Sequence, residues 1–336
     1  MRQEPLVSIC IPVYNGTRFI RRALDYCINQ TYKNIEIVVA DDASIDETAA
    51  IVKEYEKKDK RIRYFLNEKN MGLGRNFLRS FELASGDFVQ HLGCDDWLDE
   101  NYVKEKVELF KKYPDAAFIS CGVILNIKDP KNGEFKEQSR YAARHGIYTK
   151  DFTFKNFYRG IDVMGTTAMS RRDDVMENFM ATVPNDWGYD DFYYKGKIID
   201  QIGFLNILAR YSYFYYTDKV FYNSLDHDAE ASKHYGFSKF DVIDQIKFAH
   251  IDCVGFEYFY KTKAPSYLSK FRIFKGADIL ASVVFDLVLK RATGDPRGAL
   301  KNFFKDYSAK EKICVLTALP FRLIRRCFSW IIKRLR

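Results

Sequence analysis

Two adjacent carboxylates, Asp95 and Asp96, follow the short apolar run Phe88 to Leu92 and complete the quartet Gly93-Cys94-Asp95-Asp96. Neighbouring carboxylates repel when both are ionised, and a divalent cation relieves that repulsion. Mg2+ or Mn2+ prefers oxygen ligands and commonly takes one or two carboxylates plus substrate phosphates. Such a pair suits a nucleotide diphosphate, whose charge grows as it departs. The plainer reading has Asp95 and Asp96 capping a helix that begins near Leu98.

A second acidic stretch, Asp41-Asp42-Ala43-Ser44-Ile45-Asp46, directly follows the β-branched run Ile35 to Ala40. Ser44 or Asp46, with Asp46 preferred, is placed to cap the helix that carries Ala49, Ile51, Val52 and Tyr55. Asp41, immediately after a strand, is placed to accept hydrogen bonds from a base or ribose. A third polar loop, Asn70-Met71-Gly72-Leu73-Gly74-Arg75-Asn76, follows the run Ile62 to Leu66.

The elements that must position these loops read as a doubly wound α/β fold. Val7 to Ile11 is a buried strand; Phe19, Ile20, Ala23, Leu24, Cys27 and Ile28 then fall at helical spacing. Strands at 35–40, 62–66 and 88–92 alternate with helical stripes up to about Ser120. In open α/β sheets ligands collect at the carboxyl ends of the strands, so the polar loops mark one shared cleft. Beyond Ser120 the pattern predicts a polar excursion over 128–146 with a turn at Asn132-Gly133, and a returning strand within 163–170. A helix over 201–209, a Tyr-rich strand over 211–216 and mainly helical patterns from about Ser238 complete the reading.

Val7-Ser8-Ile9-Cys10-Ile11-Pro12-Val13-Tyr14-Asn15, the loop Asp41 to Asp46, the loop Asn70 to Asn76 and Cys94-Asp95-Asp96 together resemble the family 2 glycosyltransferases of the GT-A fold. The resemblance covers Leu6 to about Ser120, and more loosely continues to about Ser232. It implies a Rossmann-like, mostly parallel central sheet flanked by helices, and inverting transfer of a sugar from a nucleotide diphosphate to a hydroxyl. It implies that Pro12, Tyr14 and Asn15 shape the base pocket, that Asp41 accepts from the base, and that Asn70 and Arg75 belong to the same donor site, Arg75 closing over the base. Asp95 would hold Mg2+ or Mn2+ with Asp96 as helper, and His227 resembles a loop histidine that approaches the metal or diphosphate. The family's acidic triplet has an Asp where this chain has Gly93.

Direct displacement at an anomeric carbon needs a base for the acceptor hydroxyl. The resemblance assigns it to Asp200, in Ile199-Asp200-Gln201, with Asp186, Asp190 and Asp191 as alternatives and an N-cap as the plainer role for Asp200. Trp187 and Tyr189 beside those acids could stack on an acceptor sugar or fill core.

The remaining composition bounds partners. The chain of 336 residues is 47% hydrophobic, carries a formal charge of +8 and has seven cysteines. Without a CxxC pair these cysteines suggest neither a disulfide framework nor a zinc knuckle, and the compartment reads as reducing. No secretory signal or membrane span is evident. The segment 313–336 interleaves Phe328, Trp330 and aliphatic residues with six cations, the pattern of a helix lying on anionic lipid; its alternatives are a helix docked on its own domain or a nucleic-acid tail. No nucleic-acid module accompanies the charge, so no nucleic acid is expected.

The expected organisation is a nucleotide-sugar-binding half over 1–120, an acceptor-binding and catalytic half over 121–235, and a helical extension over 236–336. The expected setting is cytoplasmic, peripheral on the inner face of the cell membrane, with a glycan or lipid-linked glycan acceptor in surface polysaccharide synthesis. Two competing readings are a nucleotidyltransferase, which would want a Gly-rich basic loop where Pro12 to Thr17 stands, and a non-catalytic nucleotide- or glycan-binding scaffold.

Overall fold

The computed structural model describes residues 4–128, 135–156, 167–179, 199–225, 259, 261–288, 304, 307–316 and 318. The first half alternates β1 (Val7–Val13), α1 (Ile20–Ile28), β2 (Ile35–Asp41), α2 (Thr48–Lys58), β3 (Ile62–Leu66), α3 (Leu73–Glu82) and β4 (Phe88–His91). Next come β5 (Trp97–Leu98), α4 (Tyr102–Lys112), β6 (Phe118–Lys128), β7 (Phe135–Tyr141), β8 (Gly146–Thr149) and α5 (Lys150–Asn156). β9 (Met169–Arg171), α6 (Arg172–Asn178), α7 (Ile199–Arg210), β10 (Tyr213–Leu225) and α8 (Pro265–Val288) follow.

Among the described residues a ten-stranded sheet runs β3-β2-β1-β4-β9-β6-β10-β5, with β7 on β6 and β8 on β10. β1 to β4 are mutually parallel, and β6 and β10 run the same way; β5, β7, β8 and β9 run against them. The sheet is therefore mostly parallel, as expected. β1 and β2 are buried along their whole length, which is why apolar residues dominate both, with Ser8 in β1 and Glu36 and Asp41 in β2 as buried polar exceptions.

Helices cover both faces. Ile20, Ala23, Leu24 and Cys27 of α1, Ile51 and Val52 of α2, and Tyr102, Val103 and Val107 of α4 share one core with Val7, Ile9 and Ile11. Each such large apolar side chain contributes roughly 1.5–3 kcal/mol by leaving water. On the opposite face Phe77 and Phe81 of α3 meet Phe179, which also packs edge-on against Phe204 of α7 at 5.1 Å.

Several expectations shift. The helix expected near Leu98 begins at Tyr102, because Trp97 and Leu98 are taken up as a two-residue antiparallel strand against Tyr222 and Asn223. Asp95 and Asp96 therefore lie too far upstream to cap it. The excursion over 128–146 carries paired strand β7, and its turn at Asn132-Gly133 lies outside the described residues. The returning strand is the short β9, and the Tyr-rich strand runs on to Leu225, with an irregularity between Thr217 and Phe221.

The chain falls into two compact units, one over residues 1–153, 162–182 and 187–228, the other over 154–161, 183–186 and 229–336. In the second, Val315 of the helix at 309–316 stands where a Cβ on Gly276 of α8 would come within 2.9 Å. That helix opens with a reciprocal cap: Ser308 N–H donates to Glu311 at 2.8 Å and Glu311 N–H to Ser308 Oγ at 3.2 Å. Among the described residues no helix is long and apolar enough to cross a membrane.

Candidate active site

The loops after β1 and β2 are locked together. Asn15 N–H donates to Ser44 Oγ at 2.9 Å, Ile45 N–H donates to Asn15 Oδ1 at 3.0 Å, and Gly16 N–H donates to Thr48 Oγ1 at 2.8 Å. Asn15 and Ala43 hold positive φ, 52° and 60°, a conformation that costs a non-glycine residue about 1–3 kcal/mol and concentrates at ligand sites. Asp46 is not the N-cap of α2, a place that Glu47 takes without a side-chain bond; one residue upstream, it accepts Thr48 N–H at 3.0 Å and ties down Thr17 N–H at 3.2 Å. Pro12 is buried at the end of β1, whereas Asn15 is exposed and Tyr14 is 48% exposed beside it.

The two acids after β2 face different neighbours. Asp41 is fully enclosed: its carboxylate accepts Ser44 N–H at 2.8 Å and Tyr64 Oη–H at 2.7 Å. Asp42 reaches the third loop, accepting Met71 N–H at 2.8 Å, Gly72 N–H at 2.9 Å and Asn67 Nδ2–H at 3.0 Å. Gly72, at φ 83°, turns the chain into α3 in a conformation that an L side chain resists. Asn70 accepts Gly72 N–H at 2.9 Å, and Arg75 lies exposed in the first turn of α3. Buried Asn76 then fastens this helix to β2 by donating to Ala40 C=O at 2.8 Å.

The loop after β4 adjoins the same place. Cys94 Sγ lies 3.5 Å from where a Cβ on Gly16 would stand, so the Asp95-Asp96 loop packs on the β1 loop. Asp95 Oδ1 and Asp96 Oδ2 converge on the space beside Gly93, 2.8 and 2.7 Å from the position of a Cβ there. Asp96 accepts Tyr222 Oη–H at 2.8 Å and Leu225 N–H at 3.0 Å. Burial, then the charge of Asp95, pushes the Asp96 carboxyl up to about 7, against the opposing pull of those hydrogen bonds. Arg22 donates to the Asp95 carbonyl and lies over the neighbouring rings of Trp97 and Phe135, 4.3 and 4.1 Å from their centroids.

Convergent oxygens on an acid pair whose ionisation is opposed by its neighbour fit a hard divalent ion. Among the described residues no group of three or more His, Cys, Asp or Glu could hold a metal, so the pair would share its ion with substrate oxygens or water, as Mg2+ sites usually do. His227 lies outside the described residues, as do Asp186, Trp187, Tyr189, Asp190 and Asp191. Residue 200 lies in the first turn of α7.

The model of the family described as glycosyl transferase family 2 matches residues 8–179, just over half of the chain. The chain belongs to this family. A glycosyltransferase of Streptococcus pneumoniae, GlyA, is 40% identical over 158 residues, 47% of this chain and 22% of that protein. The putative glycosyltransferase EpsH of Bacillus subtilis is 36% identical over 103 residues, 31% of this chain and 30% of its own length. The chain thus spans under a third of these relatives.

Two solved structures share the GT-A fold of this family 2 chain. Staphylococcus aureus TarS 1–349, in complex with UDP-GlcNAc, superposes with a TM-score of 0.52 at 16% identity over 89% of each chain. The mannosyltransferase PcManGT of Pyrobaculum calidifontis, in complex with GDP-Man and Mn2+, gives 0.50 at 16% identity over 96% of this chain and 86% of the other.

Sequence reasoning had singled out the acid pairs but not their supports. Asp42 was visible only as the neighbour of Asp41, and which of two adjacent strand-end acids turns toward the cleft depends on register. Tyr222 and Arg22 carry no local signal at all, since each meets the Asp95-Asp96 loop across a long stretch of chain.

Proposed function

We propose that this chain is an inverting glycosyltransferase that moves a sugar from a nucleotide diphosphate to a hydroxyl of a glycan acceptor, which is lipid-linked and belongs to surface polysaccharide synthesis. The observation that carries the reading is the convergence of Asp95 and Asp96 beside the interlocked β1 and β2 loops. In this reading Pro12, Tyr14, Asn15 and Asp41 frame the base, Asp41 acting through the Tyr64 and Ser44 groups that enclose it. Asn70 and Arg75 border the same pocket through the turn that Asp42 holds.

Asp95 and Asp96 would hold Mg2+ or Mn2+, with His227 as a further ligand, and such an ion supplies counter-charge for the departing diphosphate. Asp200, at the start of α7, takes the proton of the acceptor hydroxyl as its oxygen attacks the anomeric carbon. The relatives named as glycosyltransferases and the sugar-nucleotide complexes of the structural neighbours support the donor class. The division into a donor half over 1–120, an acceptor half over 121–235 and an extension over 236–336 belongs to this proposal.

Membrane contact through 313–336 and a place on the inner face of the membrane are also proposed. Ile313 and Leu316, at the start of that segment, are 63% and 59% exposed, apolar groups left for lipid to cover. A screen of nucleotide-diphosphate sugars for divalent-metal-dependent release of the nucleotide tests the reaction; release of pyrophosphate from a triphosphate would support the nucleotidyltransferase instead.

A further inference from the structure

His91 ends β4, in register with Cys10 of β1, and its ring meets Phe77 edge-on with centroids 4.8 Å apart. Phe77 stacks at 6.1 Å on Phe179, which packs at 5.1 Å on Phe204 of α7. An imidazole thus stands at the head of a chain of phenylalanines. Its Nδ1 is buried without a hydrogen-bond partner. Burying a polar group unpaired costs free energy that a phenylalanine here would not incur. Burial also drives the His91 pKa down to about 4, with the charge of Asp95 opposing, so the ring is neutral near pH 7.

A polar residue that weakens an aromatic cluster at a strand end calls for a compensating use. The ring chain runs from His91, which feels the charge of Asp95, to Phe204, one helical turn after residue 200. If the roles in the preceding section hold, the transferred sugar must lie between those two places. Nε2, which is not enclosed as Nδ1 is, is the nitrogen left for a ligand, and a neutral imidazole there offers one hydrogen bond without adding charge beside the acids.

We propose that His91 is a substrate-binding residue of the donor site, hydrogen-bonding a hydroxyl of the transferred sugar through Nε2 while leaving the nucleotide untouched. The inference rests on the donor class proposed above and adds a residue that recognises the sugar.

The experiment compares wild type, His91→Phe and His91→Gln by calorimetric titration in Mn2+ with UDP, UDP-GlcNAc, GDP and GDP-mannose, alongside melting temperatures. For whichever nucleotide binds, the ratio of its Kd to that of its sugar conjugate measures the sugar's share. His91→Phe should raise the melting temperature, leave nucleotide affinity within about twofold and cut the sugar ratio roughly tenfold; His91→Gln, which keeps a donor, should recover part of it. An unchanged sugar ratio in His91→Phe would overturn the proposal and leave the donor class standing. Should wild type bind none of the four probes in Mn2+, the donor class and this inference would fall together.

Discussion

The hydroxyl of Tyr222 donates to Asp96 at 2.8 Å and accepts the N–H of Gly93 at 2.9 Å, so one buried phenol on β10 holds both ends of the acidic turn after β4. Asp96, pushed up to about 7, lies above its unfolded value of about 3.9. Protonation therefore favours the folded state; that stabilisation is complete below about pH 4 and is lost as pH rises through about 7. Without metal, the melting temperature should fall across that window, and Asp96→Asn should flatten the fall. Tyr222→Phe removes a hydrogen bond that holds the carboxyl down, so the fall should move to higher pH. Parallel melting curves for wild type and Asp96→Asn would refute this account of the pair.

Lys106 supplies an independent pH signature. It is wholly buried on the inner face of α4, donating to Tyr102 Oη at 2.6 Å, to Gln90 and to the Thr167 carbonyl, and burial lowers its pKa to about 8. Between about 8 and the ordinary lysine value of about 10.4 the unfolded chain binds the extra proton, so stability rises with pH in that range. Denaturant titrations at pH 8 and 10 should show the rise in wild type and its loss in Lys106→Met, whatever the change in absolute stability.

Asp200→Asn should lower sugar transfer by about two to four orders of magnitude while nucleotide-sugar binding survives, because a general base is needed only as the hydroxyl attacks. Single-turnover transfer and equilibrium binding measured on the same variant separate the two effects. Near-normal turnover would move the role to Asp186, Asp190 or Asp191.

Removal of residues 313–336 should shift the protein from vesicles of anionic lipid into the supernatant in a sedimentation assay. Retention of the truncated chain on those vesicles would mean that the exposed Ile313 and Leu316 do not mark a membrane face.

Much of the first half was legible because its elements are local. A fully buried parallel strand such as Val7–Val13 reads as a largely apolar run despite Ser8, and α1 places its buried side chains at helical spacing. β5 and β9 were not delimited, since two- and three-residue strands are defined by partners far along the chain rather than by any period. The acid pairs announced themselves by adjacency alone. Their orientation did not: Asp41 turns to Tyr64 and Asp42 to Gly72, a choice made by strand register and by the turn into α3. His91 also escaped notice, because its oddity lies in the phenylalanines around it and not in its neighbours in sequence.

The most direct test of the central claim is a calorimetric titration of Mn2+ into wild type and Asp95→Ala, each with saturating nucleoside diphosphate. Wild type should bind one ion tightly in the presence of the nucleotide, and Asp95→Ala should lose at least about tenfold in that affinity. Equal Mn2+ affinity in the two proteins would contradict the assignment of the acids after β4 to the metal and to the phosphates it neutralises.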